Sequence, residues 1–171
     1  MTSNAGFNLY ELGLQYQRSG DVLLDNLSGE KELHLPTCFL YSHAAELFMK
    51  AFLALKGVDQ KELRQYSHDL VELHRACEAR GLTMTITNQR ALRYLVSLMR
   101  SGHSEYQFRY SERSFNTAST SRMRRDLSSL ADAVGAEVAA QRSIRELASR
   151  PPAPGTIEIP KIGKIIVGVG L

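Results

Sequence analysis

Arg100-Ser-Gly-His103, with Tyr106, Phe108, Arg109, Tyr110 and Arg113 close behind, is the stretch of the chain best equipped for chemistry. Metal-free cleavage of RNA needs a base for the 2′-hydroxyl and a cation for the charge of the phosphorane, and a histidine and an arginine supply both. Aromatic rings alternating with arginine can also stack bases while guanidinium groups hold phosphate. Two plainer roles compete. Arginine and histidine complement the dipole at a helix C-terminus, and alternating aromatics in an extended segment can simply plug a bundle. Catalysis by Arg100 and His103 is the weaker reading, and binding is the stronger. The expected nucleic-acid or phosphate-binding set is Arg93, Arg100, His103, Tyr106, Arg109, Tyr110 and Arg113.

A second constellation is His43, Glu46 and Lys50, which share one side of an otherwise apolar helix, followed by His68 and Asp69. His43 and Glu46 form an HxxE pair, but the spacing offers no further metal ligands. Glu46 and Lys50, four apart, read as a structural pair. His68 and Asp69 are neighbours in sequence, so on a helix they point about 100° apart. Capping suits them better than acting as a base and its orienter. Glu46, Lys50, His68 and Asp69 are therefore expected as structural polar residues. No phosphate-cradling glycine loop, zinc spacing, nucleophile elbow or dinucleotide fingerprint is present, so no metal and no cofactor is expected.

Charge is segregated. Residues 1–89 hold 8 Lys+Arg against 11 Asp+Glu, residues 90–125 hold 8 Arg against 2 acids, and residues 126–171 hold 5 of each. The basicity is thus one block made wholly of arginine, the side chain suited to forked phosphate contacts. The alternative is a solvated face whose arginines pair with the acidic first half. With 43% hydrophobic and 23% charged residues the composition is that of a globular domain. Cys38 and Cys77 read as buried thiols of a reducing compartment. No signal-peptide pattern or membrane-length run is read, which leads to the expectation of a cytoplasmic protein without a membrane partner.

The elements follow from periodicity. Phe7, Tyr10, Leu14, Val22 and Leu24 mark a first helix over 5–28. A second starts at Pro36 and stops at Gly57, apolar on more than one face and hence central. A third is expected over 68–80, capped by Ser67 and closed by Gly81. A fourth spans 88 to about 100, capped by Thr87 and broken at Ser101-Gly102. A fifth covers about 120–148. The fold class is all-α, an antiparallel bundle of about five helices over 1–149. A Pro-rich linker follows at 150–155, then an extended or β-prone apolar tail at 156–171. Left free, that tail is an aggregation hazard, so it is expected to dock on its own bundle or on a partner subunit.

Tyr41-Ser-His-Ala-Ala-Glu-Leu-Phe-Met-Lys-Ala-Phe-Leu-Ala-Leu-Lys-Gly57, Ser67-His-Asp-Leu70 and Phe108-Arg-Tyr110, in that order, resemble the HEPN family over roughly residues 7–145. The resemblance implies a bundle of four or five helices, frequently dimeric. Catalytic members cut RNA without metal, using an arginine and a histidine four to six residues apart. Here only Ser101 and Gly102 separate Arg100 from His103, three residues separate Arg64 from His68, and no Arg-Asn-x-x-x-His-x-Tyr stretch occurs. The resemblance therefore implies a non-catalytic module that binds RNA or a nucleotide, or pairs with a protein partner, through the arginine block at 90–125. A homodimer is expected. The alternatives are a divergent metal-independent endoribonuclease using Arg100 and His103, or a purely structural homodimer.

Overall fold

The computed structural model describes residues 4–26, 33–82, 84–104 and 119–149. They form six helices: α1 (Ala5–Asn26), α2 (His34–Leu55), α3 (Gln60–Gln65), α4 (Leu70–Ala79), α5 (Ile86–Ser104) and α6 (Thr120–Ser149). The linker and the tail lie outside the described residues.

The third helix expected over 68–80 is α4, and an additional short helix, α3, precedes it. Asp59 accepts from the Glu62 amide and starts the short α3. Asp69, not Ser67, caps α4, accepting from the Val71 and Glu72 amides. Ser67 instead holds φ 48°, a left-handed conformation that a β-carbon disfavours, and it breaks the chain between the two helices. α5 begins two residues earlier than expected, so the expected cap position, 87, lies inside the helix, and Thr85 accepts from the Asn88 amide. It also runs through Ser101-Gly102 to Ser104, because an isolated glycine costs a helix only about 1 kcal/mol. The six-residue α3 escaped detection because it offers one buried side chain, Leu63, and so no periodicity.

α2 is the centre and touches all five other helices. Cys38, Tyr41, Phe48, Met49, Phe52 and Leu53, spread around its circumference, are each at most 2% exposed. By length and composition it could cross a membrane, yet 72% of its most apolar stretch is buried inside the bundle.

Its closest neighbour is α1, and the contact is set by glycine. Gly6, Gly13 and Gly20 recur every seven residues and face Leu55, Phe48 and Tyr41, which recur every seven residues in the opposite direction. A methyl group on these three glycines would stand 2.8 Å from Leu55 Cγ, 2.8 Å from the Phe48 ring and 2.6 Å from the Tyr41 ring. Large side chains of α2 thus lie in a groove of bare α1 backbone, in antiparallel register. Each glycine gives up about 1 kcal/mol of helix propensity relative to alanine. Burying an aromatic or leucine side chain returns about 1.5–3 kcal/mol, so packing prevails. The stripe expected from Phe7, Tyr10, Leu14, Val22 and Leu24 misplaces one member: Val22 is 54% exposed.

The other helices close around α2. On α1's second side, Tyr10 donates to the Ala131 carbonyl at 3.3 Å and Gln17 donates to Ser128 Oγ at 3.0 Å, fixing α6. Gly135 makes room for the Tyr10 hydroxyl. Leu92, Leu95, Val96 and Met99 of α5 complete the core beside Leu70 and Leu73 of α4.

Gly13→Ala therefore forces the Phe48 ring to move. It is expected to destabilise the fold by about 1–3 kcal/mol despite its better helix propensity, as read from the urea midpoint.

Candidate functional site

The polar cluster grows from α2. Glu46 is only 3% exposed, inside a helix otherwise devoted to the core. Its Oε1 accepts from Lys50 Nζ at 2.5 Å, and its Oε2 lies 3.0 Å from His68 Nδ1 and 3.8 Å from His43 Nδ1. Lys50 reaches on to the Ser67 carbonyl at 2.8 Å. One buried carboxylate thus ties α2 to the left-handed turn that separates α3 from α4. His43 is seated by aromatic rings, with Tyr16 edge-on at 4.4 Å and Phe39 stacked at 6.0 Å. The orienter of His68 is Glu46, 22 residues away in sequence, and not its neighbour Asp69. Facing the carboxylate through Nδ1 fixes the ring's tautomer and orientation.

The helices also decide the fate of the arginines. On the outer side of α5, Arg93 is held by Glu78 at 2.6 Å and Arg100 by Asp69 at 3.6 Å. Both carboxylates belong to α4, and the pairs run antiparallel. At the start of α6, Arg124 takes Asp25 at 2.6 Å and Asp21 at 3.2 Å, both from α1, while Arg122 and Arg125 flank Asp126 at 3.5 and 3.4 Å. Arg122 also lies 4.6 Å over the Tyr94 ring. Arg90 is exposed and has no carboxylate partner among the described residues. The side chains of all five paired arginines are exposed, so each pair adds at most about 1 kcal/mol. The pairs of Arg93, Arg100 and Arg124 also have a directional effect, fixing α5 on α4 and α6 on α1 in one register.

Of the expected binding set, Arg93 and Arg100 lie on one face of α5, each engaged by α4. His103 falls on the last turn of α5. Tyr106, Arg109, Tyr110 and Arg113 lie outside the described residues. Beside Arg100, an open cleft of about 730 Å³ at the α3–α4 turn is lined by Asp59, Glu62, Asp69 and Glu72 with Lys61. That lining does not favour phosphate. Among the described residues no group of three His, Cys, Asp or Glu is placed to hold a metal ion. Cys38 and Cys77 are buried and unbridged, and burial pushes the Cys38 thiol up to about 12 and the Cys77 thiol up as well. Both are inert as nucleophiles near neutrality.

One surface feature escaped the sequence reading. On the side of α1 away from α6, Leu12, Tyr16, Ser19 and Leu23 follow at steps of four, three and four. Next to them on α2 stand Phe39 and Leu40. Leu12 is 40% exposed and Ser19 is exposed, while Tyr16, Leu23, Phe39 and Leu40 are partly buried. Its far end forms a largely apolar cleft of about 560 Å³ bounded by Arg18, Val22, Leu23 and Leu40. Its signal in the sequence is a second apolar stripe on α1, beside the one that marks the inner face.

His74, 3% exposed, lies 3.5 Å from Glu78, the carboxylate that holds Arg93. Burial pushes its pKa down; Glu78 opposes that shift and Arg93 adds to it. A depressed value favours the neutral ring in the folded state. The associated stability is present above the unfolded value of about 6.5 and is lost as pH falls toward the folded value. The denaturant midpoint is expected to fall between pH 7 and pH 5, and to fall less in His74→Gln. Glu46→Ala strands Lys50 and His68 and is expected to cost about 3 kcal/mol, whereas Glu46→Met with Lys50→Met recovers most of the loss.

Comparison of the chain with protein-family models, with curated proteins and with solved structures gives no match in any of the three.

Proposed function

We propose that this protein is a non-catalytic, HEPN-like pairing module whose partner is a second copy of itself, docked on the outer face of α1 and α2. The observation that carries this reading is the apolar strip of Leu12, Tyr16, Leu23, Phe39 and Leu40, rimmed by the exposed Val22. Contiguous apolar surface of this kind marks interaction sites more often than bare solvent contact. Among the described residues the cleft is lined by no carboxylate and by one charged side chain, Arg18. A two-fold contact of the strip with itself therefore brings no row of like charges together.

The occupancy of the arginines weighs in the same direction. Phosphate binding along Arg93, Arg100, Arg122, Arg124 and Arg125 would compete with an internal carboxylate at each position. Among the described arginines of the block only Arg90 lacks such a carboxylate, and affinity for a nucleic acid backbone grows with the number of phosphates neutralised.

Sedimentation equilibrium tests the reading. The wild type is expected at twice the chain mass of 19.1 kDa at micromolar concentration. Leu12→Asp with Leu23→Asp is expected at the single-chain mass with unchanged helical circular dichroism. A wild type that stays monomeric, or a variant that still dimerises, overturns it. In parallel, a labelled single-stranded RNA should show no salt-dependent anisotropy change; a steep salt dependence would transfer the function to nucleic-acid binding.

A further inference from the structure

α6 outruns the helix it packs on. It has 30 residues against the 22 of α1, about 45 Å against about 33 Å. Near its end it is tied to α1 by Arg142, 3.0 Å from Glu11, and by Arg145, whose guanidinium lies 4.5 Å over Phe7 and donates at 2.8 Å to Asn4, the residue before α1. A different side of the same turns carries Ala136, Ala140, Ile144 and Leu147, at steps of four, four and three, a single stripe along the helix. All four are exposed, and Ile144 at 58% and Leu147 at 68% are the most exposed large apolar side chains among the described residues.

We infer that residues 156–171 of the same chain fold back across the Pro-rich linker and cover this stripe. Three observations select this occupant. The stripe ends at Leu147 and the tail begins nine residues later at Thr156, so the two surfaces are joined by a very short tether. A tether of that length gives an effective concentration in the millimolar range, far above what a separate chain offers. Pro151 and Pro152 cannot continue α6, and Gly155 permits the chain to reverse. The tail itself carries five Ile, two Val and one Leu among its sixteen residues, an apolar surface that needs cover as much as the stripe does. Alanine at 136 and 140 leaves room for an extended backbone to lie close along α6, with Ile144 and Leu147 interleaving with its side chains. The inference rests on α6 and not on the α1–α2 face, so either can fail without the other.

The test is a thermal double-mutant cycle. The full chain and a chain ending at Gly155 are each made with and without the paired changes Ile144→Ser and Leu147→Ser, and melted at two protein concentrations tenfold apart. Truncation is expected to lower the midpoint by about 5 °C. The serine pair should lower it similarly in the full chain and leave the truncated chain unchanged, at both concentrations. Additive losses would mean that the tail and the stripe do not touch. A truncation effect that grows with protein concentration would place the tail on a second copy. An unchanged midpoint on truncation would mean that nothing is covered. Each of these three overturns the inference.

Discussion

The bundle depends on how closely α1 can approach α2. Three glycines of α1 meet Tyr41, Phe48 and Leu55, and at each of them a single methyl group would collide with a side chain of α2. This contact fixes the rotation of α1 about its axis, its antiparallel direction and its register. Everything else on α1 follows from that rotation. Tyr10, Gln17 and Asp21 must then face α6, and Leu12, Tyr16 and Leu23 must face outward on the other side. The same geometry that builds the core therefore also creates the apolar strip proposed as the pairing surface.

A second layer of specification is ionic. Hydrophobic packing alone tolerates a helix sliding by one turn on its neighbour. Pairs such as Glu78–Arg93 with Asp69–Arg100, or Asp21 and Asp25 with Arg124, penalise such a slip by separating charges at two places at once. Read in this way, the acidic first half and the arginine-rich middle are two sides of one assembly code. Glu46 does the equivalent job inside the bundle, where one carboxylate joins Lys50, His68 and the Ser67 turn. A buried charge of this kind adds little net stability when paired and costs much when one partner is lost, which makes it a device for uniqueness rather than strength.

The two largest departures from the sequence reading have local physical causes. The α3–α4 break arises at Ser67, a residue that advertises a cap but adopts a left-handed backbone because Lys50 and Asp69 hold the turn on either side. The prolongation of α5 through Ser101-Gly102 arises because the inner stripe of Leu92, Leu95, Val96 and Met99 anchors the helix against the core. Packing on one side outweighs a weak propensity signal at the end.

The sequence by itself determined that the described segments are helical, that α2 is central, and that opposite charges are stored in separate segments, because periodicity, apolar density and charge are local properties. It also placed Glu46 and Lys50 on one face, since residues four apart on a helix are neighbours. Only the tertiary structure decided which arginine meets which carboxylate, that Glu46 rather than Asp69 orients His68, and which of the two apolar stripes of α1 is left outside. Those outcomes depend on the rotation and register of helices far apart in the chain, and steric contact between bare glycine backbone and aromatic rings sets them only once the helices have met.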